Sequence, residues 1–289
     1  MRFAFIHPKL SVKGGAENIL LWLSRELIRR GHDVVIFTTK FTPELWDHSI
    51  FEGLSVRILQ KVKMRFFRSK RLEARAIASQ LAELLKPFDC VVGHLFPSYC
   101  WAAAARRMSA APWKLVWLCE EPRRRLYLPV TDNHLLNWRS LTPRSIENPH
   151  FEKACKAVQK VGFLRRFRRS LERRWDAKAV RQCDLVLGNS EFTAQNVNKI
   201  FSVPAVACHL GIPVPKEPEY KKGDYVGVLT SLSVKKNVQN VIRAVSLLTR
   251  ERLGDLKLKI AGRGRQKEEL QDLAERLGIS ERVDFLGPI

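Results

Sequence analysis

Gly14-Gly15-Ala16-Glu17 lies between a short apolar run, Phe3-Ala4-Phe5-Ile6, and a stretch of helical periodicity that begins near Asn18. A glycine pair at the mouth of a helix can bind an anion for a physical reason. Glycine lets the backbone approach a ligand closely. The unpaired N–H groups of the first helical turn point outward, at the positive end of the helix dipole. The same pair also serves as a plain tight turn, so the loop alone leaves both readings open. Two further loops of this texture occur late in the chain, Lys235-Lys236-Asn237 and Ala261-Gly262-Arg263-Gly264. Other chemistries are thinly represented. The six cysteines are widely spread with no CxxC pair, and the seven histidines show no HxxxH spacing, so no metal site and no disulfide framework is expected.

The charge is unusual. Fifty-one Lys and Arg against 29 Asp and Glu give a net charge of +22. Such a balance favours a polyanionic partner: nucleic acid, an acidic membrane face or a phosphorylated substrate. No recognised nucleic-acid motif accompanies it, so nucleic acid ranks last. The apolar fraction of 45% is that of a globular protein with real cores. No window approaches the length of a membrane-spanning helix. MRFAFIHP carries a His and a Pro where a signal peptide would continue apolar, so a cytoplasmic protein is expected.

The elements that must position these loops follow a repeating pattern. Phe3–Ile6 reads as a buried strand, Asn18–Arg30 as an amphipathic helix closed by Gly31, and Asp33–Thr39 as a second buried strand. Strands about thirty residues apart with a helix between them make a parallel βαβ unit. Val56–Leu59, Phe88–His94, Leu115–Cys119, Asp184–Gly188 and Ala205–Cys208 read as further strands. Arg71–Leu85 reads as a helix, and Ser190 as the N-cap of another. Two stretches are strongly basic. Lys61–Arg75 interleaves seven cations with Met64, Phe66 and Phe67. Lys153–Arg181 carries eleven cations, with Leu164, Phe167, Leu171 and Trp175 on one helical stripe. Each reads either as a solvated helix face or as a surface that meets acidic headgroups.

A proline-rich polar stretch from Pro213 marks a change. The expected division is residues 1–213, a linker at 214–224, and a second unit at 225–289. In the second unit Tyr225–Leu229, Leu256–Ile260 and Val283–Gly287 read as strands. Val238–Leu248 and Lys267–Leu277 read as helices. The fold class is α/β with two Rossmann-like units and mainly parallel sheets. The second unit looks incomplete, because three strands leave an open sheet edge.

In combination these residues resemble glycosyltransferase family 4, the retaining enzymes of GT-B fold that use nucleotide sugars. Gly14-Gly15-Ala16-Glu17 matches the family's GGxE loop. Asp184–Thr193 matches its D-hydrophobics-NS-x-F-T segment, and Leu232 with Lys236-Asn237 matches GRLxxxKN. Ala261–Gly264 matches its G-x-G strand end, and Phe285-Leu286-Gly287 its FLG. Cys119-Glu120-Glu121-Pro122-Arg123-Arg124, with Tyr127, is similar to the CHTPPR-x-x-Y segment of some mannosyl- and related transferases. The resemblance implies a hexosyl or mannosyl transferase of cell-surface polysaccharide or glycolipid synthesis. Its donor would be a GDP- or UDP-sugar and its acceptor a glycan, lipid-linked in the expected case. It would work without a metal or other cofactor, peripherally on the inner face of a membrane. Donor contacts would come from Gly14, Gly15, Ser231, Lys236, Gly262 and Gly264. Acceptor contacts would come from Glu17, His94 and Arg124, and Glu120 would be the catalytic group.

The departures carry their own expectations. Ser231 stands where the family has an Arg, and Glu120 where it has a His. An ionised carboxylate accepts hydrogen bonds but donates none. The family's acidic E-x7-E segment would lie beyond Ile289, so a C-terminally truncated member is expected. The alternative is a non-catalytic nucleotide- or glycan-binding protein on a degenerate transferase fold.

Overall fold

The computed structural model describes residues 1–60, 70–123, 126–127, 163–214, 223–248 and 256–289. The described residues fall into two compact units, 1–127 with 163–214, and 223–289.

The first unit is a seven-stranded sheet in the order β3-β2-β1-β4-β5-β6-β7, every pair parallel. The strands are β1 (Arg2–Ile6), β2 (Asp33–Thr38), β3 (Ser55–Ile58), β4 (Cys90–His94), β5 (Lys114–Cys119), β6 (Leu185–Gly188) and β7 (Val206–Ala207). Successive side chains of a strand point to opposite faces, and here both faces are covered. Ala4, Ile6, Phe37, Val91, Leu115 and Trp117 enter one core. Phe5, Val34, Ile36, Val92 and Leu118 enter the other. The first core is roofed by α2 (Lys70–Leu84), α3 (Ser98–Ser109), α4 (Phe163–Val180) and α5 (Glu191–Phe201). The second is roofed by α1 (Gly15–Arg29), through Leu20 and Leu21, with Trp46 and Leu54.

The strand order reverses between β1 and β4. In a doubly wound sheet, that crevice at the carboxyl ends of the strands is where ligands bind. Two glycines tighten the neighbouring helices onto the sheet. A Cβ on Gly93 would lie 2.6 Å from Tyr99 Cα, and one on Gly188 would lie 2.7 Å from Ala194 N. Helix α4 is tied down by Asp176, which is fully buried and accepts from Tyr99 Oη at 2.5 Å and Tyr127 Oη at 2.9 Å. Burial raises the Asp176 pKa against the pull of these phenols and Arg123.

The expected elements appear with small shifts in their ends. Helix α1 begins at Gly15, three residues before the apolar periodicity. Ser190 caps α5, its hydroxyl accepting from Thr193 N at 3.2 Å. Helix α3 is an addition to the sequence reading. The apolar stripe at Leu164, Phe167, Leu171 and Trp175 is divided. Trp175 packs against the core and edge-on to Phe96, whereas Phe167 is 59% exposed. Lys61–Ser69 and Arg124 lie outside the described residues.

The second unit is a three-stranded parallel sheet in the order β10-β9-β8. It contains β8 (Tyr225–Leu229), α6 (Val238–Ser246), β9 (Lys257–Ala261), α7 (Lys267–Arg276) and β10 (Val283–Gly287). Its core joins Leu232, Val238, Ile242, Leu258, Ile260, Leu270 and Val283. Strand β8 is an edge, with Tyr225, Val226 and Leu229 exposed. Among the described residues no helix is long and apolar enough to cross a membrane.

Candidate functional site

Sheet register assembles a cluster at the reversal point of the first unit. Ile6 of β1 stands opposite Gly93 of β4, so the next residues along, His7 and His94, lie side by side. His94 stands opposite Leu118 of β5, and Glu120 follows two residues later on the same rim. Glu17 reaches the group from the first turn of α1. The two imidazoles are 1% and 0% exposed, with ring centroids 5.1 Å apart. Their Nδ1 atoms are 3.2 Å apart. His7 Nε2 lies 3.5 Å from Glu17 Oε1, and His94 Nε2 lies 3.0 Å from Glu120 Oε1. The four side chains therefore form one line, Glu17–His7–His94–Glu120. Its buried middle is imidazole, and its two ends are carboxylates 16% and 21% exposed.

The electrostatics follow from this geometry. Burial pushes the His7 pKa down, and the charge of His94 adds to the effect, while the Glu17 carboxylate opposes it. Burial acts upward on Glu17, but its hydrogen bonds to His7 and to its own backbone N–H outweigh burial and leave its pKa lowered. That backbone contact lies at the N-terminus of α1, where the dipole favours a carboxylate. Four side chains of metal-ligand type meet here, yet each ring nitrogen faces another group of the line rather than a shared centre. Among the described residues no trio of His, Cys, Asp and Glu is placed to hold a metal ion. The Cys90 and Cys183 thiols are not nucleophiles either. Burial pushes Cys90 up to about 11 and Cys183 up to about 12.

In the second unit the loops after β8 and β9 are joined backbone to backbone. Thr230 N donates to Ala261 O at 3.0 Å, Leu232 N to Arg263 O at 3.0 Å, and Gln266 N to Leu232 O at 3.3 Å. Gly262 and Gly264 make this approach possible. A Cβ on Gly262 would stand 1.8 Å from Thr230 O, and one on Gly264 would stand 2.0 Å from Leu232 O. The joined loops hold Ser231, Lys236, Arg263 and Arg265 exposed at the carboxyl ends of two parallel strands. Asn237 takes a left-handed conformation, φ 52°, between a tight turn at Val234–Lys236 and helix α6. Its Oδ1 is buried without a partner. The arrangement offers cations and a hydroxyl to an anion.

The sequence candidates thus fall into two groups. Glu17, His94 and Glu120 come together in the first unit, with Gly14 and Gly15 at the start of α1. Ser231, Lys236, Gly262 and Gly264 come together in the second. For three candidates the structure supplies a different physical account. Both ring nitrogens of His94 face protein groups, so the exposed group at that end of the line is Glu120. The space a side chain would take at Gly262 and Gly264 is filled by the partner loop's backbone. His7 was missed by sequence reasoning. Its one signal is its place, a polar residue directly after a buried strand and ten residues before Glu17.

The first unit matches the model of Glycosyltransferase Family 4 over residues 13–213, and the model of glycosyl transferases group 1 matches residues 214–289. No curated protein matches the chain. Among solved structures, the lipopolysaccharide outer core galactosyltransferase WaaB superposes with a TM-score of 0.64 at 15% identity, covering 100% of this chain and 68% of that one. HepE of Anabaena, in complex with UDP and glucose, gives 0.61 at 14% identity, covering 99% and 69%. WaaG, a glycosyltransferase involved in lipopolysaccharide biosynthesis, gives 0.57 at 16% identity, covering 99% and 70%. At these identities the likeness is one of fold, and the fold is the GT-B architecture. With both of its units accounted for by transferase models, the chain belongs to Glycosyltransferase Family 4.

Proposed function

We propose that the chain transfers a sugar, with retention of configuration, from a nucleoside-diphosphate sugar to a glycan or lipid-linked acceptor of the cell surface. Lys236, with Ser231 and the Arg263 and Arg265 side chains beside it, binds the diphosphate and stabilises the charge it gains as the C1–O bond breaks. Glu120 takes the acceptor hydroxyl's proton as the new C1–O bond forms. Glu17, His94 and Arg124 belong to the acceptor side, and Gly14 and Gly15 leave room for the sugar. The reaction uses no metal, the cationic loop taking the role a divalent ion would have.

The observation that carries this reading is the pair of joined strand-end loops, which gather exposed cations in a unit matched by a glycosyl transferase model. The UDP in the HepE structure supports a uridine diphosphate leaving group, with GDP as the alternative base. The exposed Arg168 and Arg174 of α4, with Arg181 just past its end and the exposed Phe167, support attachment to an anionic cytoplasmic leaflet.

Titration calorimetry with UDP and GDP, followed by transfer assays with their sugars, tests the assignment. One nucleotide is expected to bind, and Lys236→Ala to weaken it by roughly 10- to 100-fold, the worth of one charge-assisted hydrogen bond. Binding without transfer to any glycan would favour the non-catalytic alternative. No binding of either nucleotide would overturn the transferase reading and the nucleotide-binding form of the alternative.

A further inference from the structure

The line Glu17–His7–His94–Glu120 contains three hydrogen-bond links, and each link needs one proton. Two neutral imidazoles between two carboxylates supply only two. If both neutral rings donate outward from Nε2, the Nδ1 atoms meet lone pair to lone pair at 3.2 Å. If one ring turns its proton inward, its bare Nε2 meets a carboxylate, at 3.5 Å from Glu17 or 3.0 Å from Glu120. With three protons every link is made. With four, two N–H groups collide between the rings. The charged groups that act most on His7 are Glu17 on α1, His94 on β4 and Glu120 after β5.

We propose that His7 is a positioning residue that acts through His94 on Glu120: the histidine pair holds one proton beyond two neutral rings, so that both Nε2 atoms donate outward and the His94 ring anchors the Glu120 carboxylate by Oε1. Oε2 is then left for the substrate hydroxyl. The pair titrates as a unit, with its second extra proton resisted by the first. Glu17 has no contact with the reacting atoms in this scheme. It neutralises the far end of the line, as the buried pair requires.

The inference rests on Glu120 serving transfer, but its first test needs no turnover. Long-range proton–nitrogen correlation of the full chain, labelled at histidine, reads each ring nitrogen. At neutral pH both Nε2 atoms should appear protonated, with a single proton shared by the two Nδ1 atoms. A bare Nε2 on either ring would overturn the proposal. Glu17→Gln keeps the acceptor oxygen and removes the charge. It should move the pair's titration down by about one pH unit, and an unchanged titration would overturn it. His7→Phe should lower kcat about tenfold, leave the donor KM within twofold and shift the acid limb of the pH profile, with His7→Asn restoring most of the rate through its amide. Unaltered pH and kcat in a folded His7→Phe protein would overturn the positioning role. If the nitrogen signals behave as stated while no sugar is transferred, the histidine pair stands and the transferase reading falls.

Discussion

Gly264→Ala is the most direct probe of the loops that carry Lys236. The added Cβ would sit 2.0 Å from Leu232 O, so the two loops must part by about 1.5 Å to reach ordinary contact. Parting them breaks or stretches three backbone hydrogen bonds, from Thr230, Leu232 and Gln266. At about 1 kcal/mol each, the loss is about 2–3 kcal/mol. Gly262→Ala adds backbone strain of about 1–3 kcal/mol, because its φ of +145° is disfavoured for a residue with a side chain. The second unit has a small core, so such losses take much of its stability. Six of the seven tryptophans, Trp22, Trp46, Trp101, Trp113, Trp117 and Trp175, lie in the first unit, so with Trp138 changed to Phe their fluorescence reports on that unit and serves as an internal control. Hydrogen exchange over residues 223–289 reads the second. Both variants should exchange faster there and bind nucleoside diphosphate at least tenfold more weakly, while the tryptophan transition stays in place. Gly15→Ala is the contrast, since nothing lies within 4 Å of its Cβ. It should leave stability unchanged and lower affinity only where a ligand fills that space. Wild-type exchange and nucleotide affinity in Gly264→Ala would refute the joined-loop account.

Glu120→Gln should lower kcat by about 100-fold, within the range for loss of a general base, with the donor Kd unchanged by calorimetry. Stability should fall as pH drops from about 6.5. Burial and the charge of His94 lower the His7 pKa, so the folded pair resists the further proton that the unfolded chain accepts, and the lowered pKa of Glu17 extends the loss to more acid pH. Thermal unfolding between pH 7 and pH 4 should show this slope in the wild type and a shallower one in His7→Phe. Vesicles containing anionic lipid should bind the protein and release it as salt rises, and binding should weaken when Arg168, Arg174 and Arg181 are changed together to Gln. Equal binding to neutral vesicles would remove the electrostatic account.

Much of this molecule is legible from periodicity alone. Phe3–Ile6 reads as a strand because both faces of a parallel sheet are buried, and the structure buries Phe5 and Ile6 in different cores. Glycine loops at strand ends point to ligand sites because of what backbone N–H groups can do there. What periodicity does not carry is strand order. His7 and His94 are 87 positions apart, and they meet because β4, not β2, lies on the second side of β1. Helix α3 was illegible for another reason. Its first seven residues, Ser98–Ala104, are almost all buried, so it shows little of the alternation between an apolar and a polar face. The glycines at 93, 188, 262 and 264 answer to neighbouring backbone whose proximity no local pattern announces.

The glycine loop itself changes meaning once the cluster is in view. An anion was expected at the N-terminus of α1, and one is there, but it belongs to the protein. The Glu17 carboxylate folds back toward its own helix start, close enough that a Cβ on Gly14 would stand 2.5 Å from Oε2. Gly14 is therefore small for an internal reason, whereas Gly15 faces open space. The helix dipole stabilises Glu17 as a carboxylate, Glu17 steadies His7, and His7 meets His94, whose other nitrogen holds Glu120. The positive end of α1 is thus coupled to a group on the far side of two strands. A phosphate drawn to that helix would have to displace Glu17 first. The exposed cations after β8 and β9 face no such competitor among the described ion pairs, which is why the donor diphosphate is assigned to them.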